Sequence, residues 1–372
     1  MPIKQWTKLN HSALFGTEGS DIKLTRQYLF LLFPWKMEKQ IADALSSNIR
    51  SACSTAQISL FLLPDPGQTT TDKRRWSLPR TGKTIFSRVA FLWRLFRSKP
   101  EPSGELVLIG DDSFSLMAVA LWSKKKPIYI PLIKVINRYP SFWDIWTVGR
   151  FCRAALVNDR KMNRAFRRNN IPSYFVGNPW VDLVKFAYFT FPHGKKPIYS
   201  FFMREEYWRE DLIFFLNLVS LLSSEKERYF LLVLPPEVKL KELAKQAETE
   251  GWFFKKSLEG DWIDGYLWQH PTCVNITRFG GEAMGQSELV ISTDSIRIIQ
   301  AAGMGKKVLP VESRRPDQVA ALVRNQTYLF ENSRSLQDRF GSGGALSAIV
   351  SYLLRGTVED ELFKERLLKK EE

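Results

Sequence analysis

The stretch ELVLIGDDSFSLMAVALW, residues 105–122, combines a short apolar run, a polar turn and a longer apolar segment. Leu106–Ile109 has the length of a buried strand, and Phe114–Trp122 has the length and spacing of a helix. A strand that leads directly into a helix is the repeating unit of parallel α/β structure. The stretch therefore predicts one βα unit of a parallel sheet.

The same alternation continues on both sides of this unit. In the first half, further strands are predicted at Tyr28–Phe33, Ile58–Leu63, Ile128–Ile130, Ala154–Val157 and Tyr174–Val176. In the second half, strands are predicted at Ile198–Phe202, Tyr229–Leu234, Gly251–Phe254, Cys273–Ile276, Leu289–Ser292, Lys307–Val311 and Tyr328–Phe330. Segments of helical periodicity separate them, among them Phe142–Phe151, Lys161–Arg168, Arg209–Leu222, Glu237–Glu250 and Ser295–Ala302. Two successive alternations predict two doubly wound sheets.

A domain boundary is predicted between the two alternations. The segment FPHGKKP, residues 191–197, contains two prolines, a glycine and paired lysines, which is the composition of an exposed connection. A length of 372 residues also suits two domains. The sequence therefore predicts an N-terminal Rossmann-like domain at 1–190, a C-terminal Rossmann-like domain at 191–345 and a charged helical segment at 346–372.

The composition favours an anionic partner. Lysine and arginine number 54 against 39 acidic residues, a formal net charge of +15, which suits a phosphorylated substrate, an acidic membrane surface or nucleic acid. No nucleic-acid reader motif accompanies this charge, so nucleic acid is not an expected partner. Cys53, Cys152 and Cys273 lie far apart without the spacing of metal ligands, which predicts no metal site and a reducing, cytoplasmic location.

Any membrane contact is expected to be peripheral. The most apolar windows, Tyr28–Trp35 and Leu212–Leu222, are shorter than the roughly 20 residues that span a bilayer. The segment Lys83–Lys99 interleaves aromatic and aliphatic side chains with arginines, a pattern typical of a helix that lies on acidic lipid. A domain helix with its apolar face in the core explains the pattern equally well. The residues assigned to the membrane contact are Arg88, Phe91, Trp93, Arg94, Phe96 and Arg97.

The string FVGNPWVD, residues 175–182, is the sharpest local pattern. Gly177 and Pro179 end a strand in a tight turn, and Asn178 offers an amide to a ligand in the crevice beyond the strand. A simple strand-ending turn is the alternative. The string resembles the F-[IVL]-G-[HN]-P-x-x-D element of lipid-A-disaccharide synthases, and the resemblance extends over most of residues 27–312.

The resemblance implies a GT-B-like fold, in which two doubly wound Rossmann-type domains face a cleft. It also implies a glycosyltransferase that uses no metal and no cofactor. The donor would be a nucleotide sugar, a UDP-sugar, held mainly by the C-terminal domain. The acceptor would be a lipid-linked sugar or glycolipid held mainly by the N-terminal domain, with the protein on the cytoplasmic membrane surface.

The apolar strand before Gly110 delivers two carboxylates, Asp111 and Asp112, to its carboxyl end. In open α/β sheets the ligand crevice lies at this end of the strands. The resemblance implies that one of the two is the base that removes a proton from the acceptor hydroxyl. Capping of the following helix by Asp112 or Ser113 is supported equally well, and the two roles are compatible.

The string QAAGMGKKV, residues 300–308, resembles the donor-nucleotide part of this family, as does the preceding segment from Gly280 to Ser292. By this resemblance Gln300 contacts the ribose. Ser295 and Arg297 lie in the element that holds the diphosphate at a helix start, and Arg204 meets a phosphate. An ordinary helix end with a glycine cap is the alternative for residues 300–305.

Three glycine-containing motifs of the family are altered here. The first turn, residues 33–38, keeps Glu38 but has no glycine, so Glu38 joins Gly177 and Asn178 as an acceptor or cleft residue. Met203-Arg204 keeps only the arginine of the second motif, and Ser295-Ile296-Arg297 replaces Gly-Thr-Ala in the third. These losses leave open a second hypothesis, a non-catalytic, membrane-associated two-Rossmann protein that no longer binds a donor.

Overall fold

The computed structural model describes residues 27–32, 36–62, 104–110, 113–132, 139–223, 227–257, 262–311 and 315–356, without the side chains of 32, 36–38 and 61–62. The segment Lys83–Lys99, predicted to contact a membrane, lies outside these ranges. Within them, no helix has both the length and the apolar character needed to cross a bilayer.

The first sheet has six parallel strands in the order β2-β1-β3-β4-β5-β6. The strands are β1 (Gln27–Leu32), β2 (Gln57–Leu62), β3 (Glu105–Ile109), β4 (Ile128–Ile130), β5 (Ala154–Val157) and β6 (Ser173–Phe175). The helices are α1 (Lys36–Ala52), α2 (Ser113–Ser123), α3 (Phe142–Phe151) and α4 (Arg160–Arg168). The strand order reverses between β1 and β3, which makes their carboxyl ends the switch point of this sheet.

The local sequence explains where these helices begin. Ser141 and Asp144 form a reciprocal capping box at the start of α3, and the Asp159 carboxylate accepts from the Lys161 N–H at the start of α4. β4 and β5 are buried along their whole length, and β3 is buried beyond its first residue, as expected for apolar strands between helix layers. The βα units predicted from hydrophobic periodicity are therefore present.

The second sheet has seven strands in the order β13-β12-β7-β8-β11-β10-β9. The strands are β7 (Ile198–Phe202), β8 (Tyr229–Val233), β9 (Phe253–Lys256), β10 (Gly265–Gln269), β11 (Thr272–Thr277), β12 (Leu289–Ser292) and β13 (Lys307–Pro310). α5 (Pro179–Asp182) lies in the connection between the two sheets. The helices that follow β7 in sequence are α6 (Trp208–Ser223), α7 (Leu240–Thr249), α8 (Gly280–Gln286), α9 (Ser295–Gly303), α10 (Pro316–Arg324), α11 (Gln326–Phe340) and α12 (Ala345–Arg355). Its switch point lies between β7 and β12.

Three features of the second half differ from the sequence prediction. Tyr328–Phe330, predicted as a strand, lies in α11, because Asn325 caps this helix through the Tyr328 N–H and Leu329 is fully buried. β10 was not predicted, and it pairs antiparallel with β9 and β11 at the edge of an otherwise parallel sheet. The predicted strand at 251 begins instead at 253, because Gly251 has a φ of +79° in the turn after α7.

The chain returns to the first domain after the second sheet is complete. α11 contacts α4, and α12 packs on α1 and on α5. The Tyr28 hydroxyl of β1 donates to the Leu353 carbonyl of α12 at 2.8 Å. The apolar side of α12, with Leu346, Ile349 and Leu353, is buried in the same core cluster as β1 and β3. The last described helix is therefore structurally part of the first domain.

The carboxyl edges of both sheets lie toward the junction of the two domains. α5 follows the carboxyl end of β6, and it lies on α9, which follows the carboxyl end of β12. Residues 176–197 connect β6 to β7 and include the predicted boundary segment. The topology thus places both switch points on the side where the domains meet.

Candidate functional site

Arg204 stands at the switch point of the second sheet and is held there by a buried carboxylate. It follows β7 by two residues, and its backbone N, Nε and Nη2 donate to Asp211 in the first turn of α6 at 2.8, 3.1 and 2.6 Å. Asp211 is buried, whereas 39% of the Arg204 side chain is exposed. Thr293, which follows β12, donates its hydroxyl to the same carboxylate at 2.7 Å. The guanidinium is therefore fixed in orientation but open to a ligand.

The charge of Arg204 is secured by this contact. Burial alone lowers the pKa of the guanidinium, but the hydrogen bonds and negative charge of Asp211 outweigh burial, so the pKa lies above its ordinary value. Arg204 is consequently a permanent cation. A planar, oriented guanidinium suits phosphate oxygens, which it can bind through two parallel N–H groups.

The N-terminus of α9 lies beside Arg204. Asp294 caps the helix by accepting from the Ile296 N–H at 2.9 Å, and its own N–H donates to the Ser292 hydroxyl at 2.9 Å. Burial raises the pKa of Asp294, while the charges of Arg297 and Arg204 oppose that rise. Both arginines therefore lie within electrostatic range of the first turn of α9. The positive end of the helix dipole adds to their charge.

Arg297 and Gln300 lie on successive turns of α9. Arg297 is exposed, stands 6.0 Å from the centre of the Phe202 ring, and donates from Nη1 to the Gln300 Oε1 at 3.1 Å. Gln300 is buried, and its Nε2 donates to the Trp180 carbonyl of α5 at 2.8 Å. Arg297 is thus available at the surface, whereas Gln300 connects the two domains.

Gly177 and Asn178 lie in the domain junction. Gly177 has a φ of +90°, a conformation that favours glycine. Asn178 is completely buried, accepts from the Trp180 N–H at 3.0 Å and donates to the Ile299 carbonyl at 3.1 Å. The amide that the sequence assigned to the cleft therefore serves as the cap of α5 and as a contact with α9.

Gly280-Gly281-Glu282 begins α8 and holds the segment that connects the domains. Glu282 is buried and accepts from the backbone N–H groups of Ala187 and Tyr188, the latter at 2.8 Å. A Cβ at Gly281 would clash with the Lys185 carbonyl oxygen. This part of the donor-like sequence therefore positions the connection between the domains.

Several predicted site residues lie outside the described part of the chain. Asp111 and Asp112 directly follow Gly110, which ends β3 at the switch point of the first sheet, but they are not among the described residues. The six predicted membrane residues between 88 and 97 are likewise outside. The backbone of Glu38 lies in the first turn of α1, and its side chain is not described. In the described ranges no group of three or more histidine, cysteine, aspartate or glutamate side chains is arranged to hold a metal ion.

Sequence reasoning missed the residues that fix the arginines. Asp211 and Thr293 were not singled out, nor was the buried ion pair between Asp159 and Arg339. Asp211 lies seven residues after Arg204 in the first turn of a helix, which is a weak local signal. Thr293 and Arg339 carry no local signal, because strand adjacency and the return of the chain bring them to their partners.

Comparison with known structures supports the fold. Neither a protein-family model nor a curated protein sequence matches this chain. A UDP-complexed structure of MnaA from S. aureus is similar with a TM-score of 0.54 at 11% identity, over 90% of this chain and 98% of that one. UDP-GlcNAc 2-epimerase from Neisseria meningitidis, bound to UDP-GlcNAc, gives 0.51 at 13% identity, over 88% and 100%. MurG from Acinetobacter baumannii gives 0.52 at 8% identity, over 89% and 99%.

These similarities establish the architecture. The chain has the GT-B fold, with two Rossmann-like domains, the first built on a parallel sheet and the second on a mixed sheet. The finer resemblance to lipid-A-disaccharide synthases stays a prediction, since none of these three structures is of that enzyme.

Proposed function

We propose that this protein is a glycosyltransferase that binds a UDP-sugar at the switch point of its second sheet. The single observation that carries the proposal is Arg204, fixed by Asp211 beside the first turn of α9. Ligands of open α/β sheets bind where the strand order reverses, beyond the carboxyl ends of the strands. In this molecule that place carries two arginines and a helix N-terminus.

The proposed site suits the chemistry of a leaving nucleoside diphosphate. As the bond from the sugar to the diphosphate breaks, negative charge grows on the phosphate oxygens. Arg204 and Arg297 neutralise that charge, and the dipole of α9 adds to their effect. Ser295, at the first position of α9, supplies a hydroxyl to the same phosphates. No metal ion is required for this step.

The acceptor is assigned to the first domain. β3 borders the switch point of the first sheet, and Asp111 and Asp112 follow β3 in sequence. One of them serves as the base that removes the proton from the acceptor hydroxyl. We propose a lipid-linked sugar or glycolipid as the acceptor. The high positive charge of the chain supports an acceptor that resides on an anionic membrane.

The ribose contact differs from that implied by the family resemblance. The Nε2 of Gln300 donates to the Trp180 carbonyl, so a ribose bound by Gln300 has to replace that hydrogen bond. Ile296 stands where the family has a small polar residue, and its side chain has no hydrogen-bonding group. The nucleotide is therefore held mainly through its diphosphate.

The second candidate is a two-Rossmann protein that has lost donor binding. It is favoured by one set of contacts, because Asn178, Gln300 and Glu282, all in donor-like or cleft-like sequence, form hydrogen bonds within the protein. A site converted into a domain junction needs no nucleotide. This candidate predicts unchanged domain contacts and no saturable binding of any nucleotide sugar.

Isothermal titration calorimetry separates the two candidates. Wild type is titrated with UDP, UDP-N-acetylglucosamine and other nucleotide sugars, alongside Arg204→Ala and the control Arg209→Ala. Arg209 is exposed, lies over the Trp208 ring and pairs loosely with Glu242 at 3.9 Å. We expect saturable binding that Arg204→Ala weakens by about 10- to 100-fold, because a hydrogen bond to a charged group is worth roughly 1.5–3 kcal/mol. Absence of binding across the panel supports the second candidate, whereas equal loss in both variants would remove Arg204 from the donor site.

A further inference from the structure

The outer side of α3 exposes a continuous row of large aromatic side chains. Phe142 is 74% exposed, Trp143 67% and Trp146 46%. Their rings touch in sequence, with centroids 6.0 Å apart between Phe142 and Trp143 and 5.9 Å apart between Trp143 and Trp146. An aromatic side chain typically has about 150–250 Å² of surface that it can bury. A contiguous exposed apolar patch of such side chains marks an interaction site.

A row of cations lies on the neighbouring helix. Lys161, Arg164 and Arg168 are exposed and occupy positions i, i+3 and i+7 of α4, so they share one side of the helix. α4 contains no acidic residue. The one carboxylate of α3, Asp144, is bound to Ser141 and Ser113 and faces the cap. The outer sides of the two helices therefore present aromatic and positive groups without opposing charge.

The two helices form one layer. The connections β4-α3-β5 and β5-α4-β6 advance in the same direction along the first sheet, and right-handed crossovers place both helices on the same face. Tyr139, just before α3, accepts from the Lys161 Nζ at 3.1 Å and lies under that ammonium group. The aromatic row and the cation row are therefore parts of one surface.

We propose that this surface, formed by Phe142, Trp143, Trp146, Lys161, Arg164 and Arg168, docks the protein on an anionic lipid bilayer. Charge complementarity selects this partner, because three unopposed cations beside aromatic rings match phosphate headgroups above an apolar layer. Tryptophan side chains are suited to the membrane interface, where one end of the ring is apolar and the other is hydrated.

The position of this surface relates membrane docking to the proposed acceptor site. Both helices begin at the carboxyl edge of the first sheet, which is the edge that carries its switch point. A bilayer on this surface therefore lies next to the side of the domain proposed to hold the acceptor. This last point rests on the proposed function, whereas the docking itself does not depend on it.

Vesicle sedimentation of the full chain, without any nucleotide sugar, tests the docking. Vesicles of phosphatidylcholine alone are compared with vesicles that contain about one third phosphatidylglycerol. Wild type should bind the anionic vesicles, and Lys161→Gln/Arg164→Gln/Arg168→Gln should bind them at least tenfold more weakly. Added salt should weaken wild-type binding, because the Debye length falls to about 3 Å at 1 M. A second variant, Phe142→Ser/Trp143→Ser/Trp146→Ser, should show a similar loss.

Matched controls make the test specific. Lys239→Gln/Lys241→Gln/Lys245→Gln removes the same charge from exposed positions at and on α7, and Phe253→Ser/Trp268→Ser removes an exposed aromatic pair from the edge of the second sheet. Both controls should bind vesicles like wild type. Equal losses in variants and controls, or unchanged binding in both variants, would overturn the proposal. So would a dimer in solution that the aromatic variant converts to monomer, because a second copy would then be the partner. The outcome is independent of whether a nucleotide sugar binds, so failure of one proposal leaves the other standing.

Discussion

Among the described residues, two buried aspartates each bind an arginine. One pair lies at the edge of the second sheet, and the other joins α11 to the first domain. Asp211 orients Arg204 at the carboxyl edge of the second sheet, where the guanidinium remains partly exposed. Asp159 accepts from the Nε and Nη2 of Arg339 at 2.9 and 2.5 Å, and both side chains are buried, 1% and 7% exposed. The first contact leaves a cation open to a ligand, while the second ties α11 to the first domain.

Removal of Arg339 tests the second contact. Arg339→Ala leaves the Asp159 carboxylate buried without its ion partner, so we expect the free energy of unfolding to fall by about 3–5 kcal/mol. Guanidinium unfolding followed by circular dichroism measures this change. The control Arg209→Ala, which breaks an exposed contact, should stay within about 0.5 kcal/mol of wild type. A similar small effect for Arg339→Ala would show that Asp159 is rehydrated.

Gly281 tests the close approach of the domain connection to α8. Gly281→Ala places a methyl group against the Lys185 carbonyl, so we expect a loss of about 1–3 kcal/mol in the free energy of unfolding. Gly149→Ala is the matched control, because it lies in α3 and its new Cβ would meet only Ile171, at 3.4 Å. That change should stabilise the protein by about 0.5–1 kcal/mol. Equal effects at the two positions would contradict the tight contact at 281.

The two carboxylates after β3 test the assignment of the base. Asp111→Asn/Asp112→Asn should abolish sugar transfer while leaving the calorimetric affinity for the UDP-sugar within about threefold, because the donor is assigned to the other domain. The measurement is turnover of the nucleotide sugar that binds wild type. Retained turnover in the double variant would remove both residues from the mechanism.

At this scale the sequence indicates candidate ligand-binding side chains but not the residues that support them. Arg204 and Arg297 were assigned to the donor site by the family resemblance, and each follows an apolar strand within a few residues. Thr293 reaches Asp211 only because β12 pairs with β7, strands separated by about ninety residues. Gln300 and Asn178 matched ligand motifs, but their amides donate to backbone carbonyls across the domain junction. Local sequence does not contain the information on which surface a side chain will face once two domains pack.

At the scale of elements, short and isolated strands can be predicted from the local sequence. β3, β4, β5, β7 and β12 were predicted within one residue of their observed bounds, because each is a brief apolar run between polar turns. α11 was not predicted at Tyr328–Phe330, because two β-favouring aromatic residues flank Leu329 there, whereas the stability of the helix comes from its cap and its buried face. β10 was missed because Gly265–Gln269 begins with a glycine and contains a run of only three apolar residues.

α12 is the element whose position is least evident from the sequence. It follows the second sheet in sequence but packs on α1, and Tyr352 contacts Tyr174 of β6 with ring centroids 5.1 Å apart. The Asp182 carboxylate accepts from the N–H groups of Gly344 and Leu346 at 2.6 and 2.8 Å and so fixes its start. The core of the first domain therefore includes a helix that follows the whole second sheet in sequence.

Truncation of a buried leucine tests whether α12 is part of the first domain. Leu353→Ala removes a buried side chain from the core shared with β1, so we expect the free energy of unfolding to fall by about 2–5 kcal/mol. Leu121→Ala, at an exposed position on α2, should change it by less than about 0.5 kcal/mol. Chemical denaturation measures both. If Leu353→Ala behaves like Leu121→Ala, α12 is not an integral part of the first domain.

At the scale of the whole molecule, the GT-B arrangement explains why the arginines of the proposed site lie where the strand order reverses. In both sheets the strand order reverses at a switch point, between β1 and β3 in the first and between β7 and β12 in the second, and both switch points lie at carboxyl edges turned toward the domain junction. The second reversal carries Arg204 and the start of α9, and the first is followed in sequence by Asp111 and Asp112. The proposed donor and acceptor sides therefore belong to different domains of one fold.

Hydrogen–deuterium exchange with and without saturating UDP-N-acetylglucosamine tests the central claim most directly, since it locates the ligand on the full chain. The account predicts slower exchange in peptides that cover residues 202–211 and 293–299, with unchanged exchange in α12. Protection confined to other segments, or no protection at a concentration at which calorimetry shows saturation, would contradict a nucleotide site at Arg204 and the N-terminus of α9.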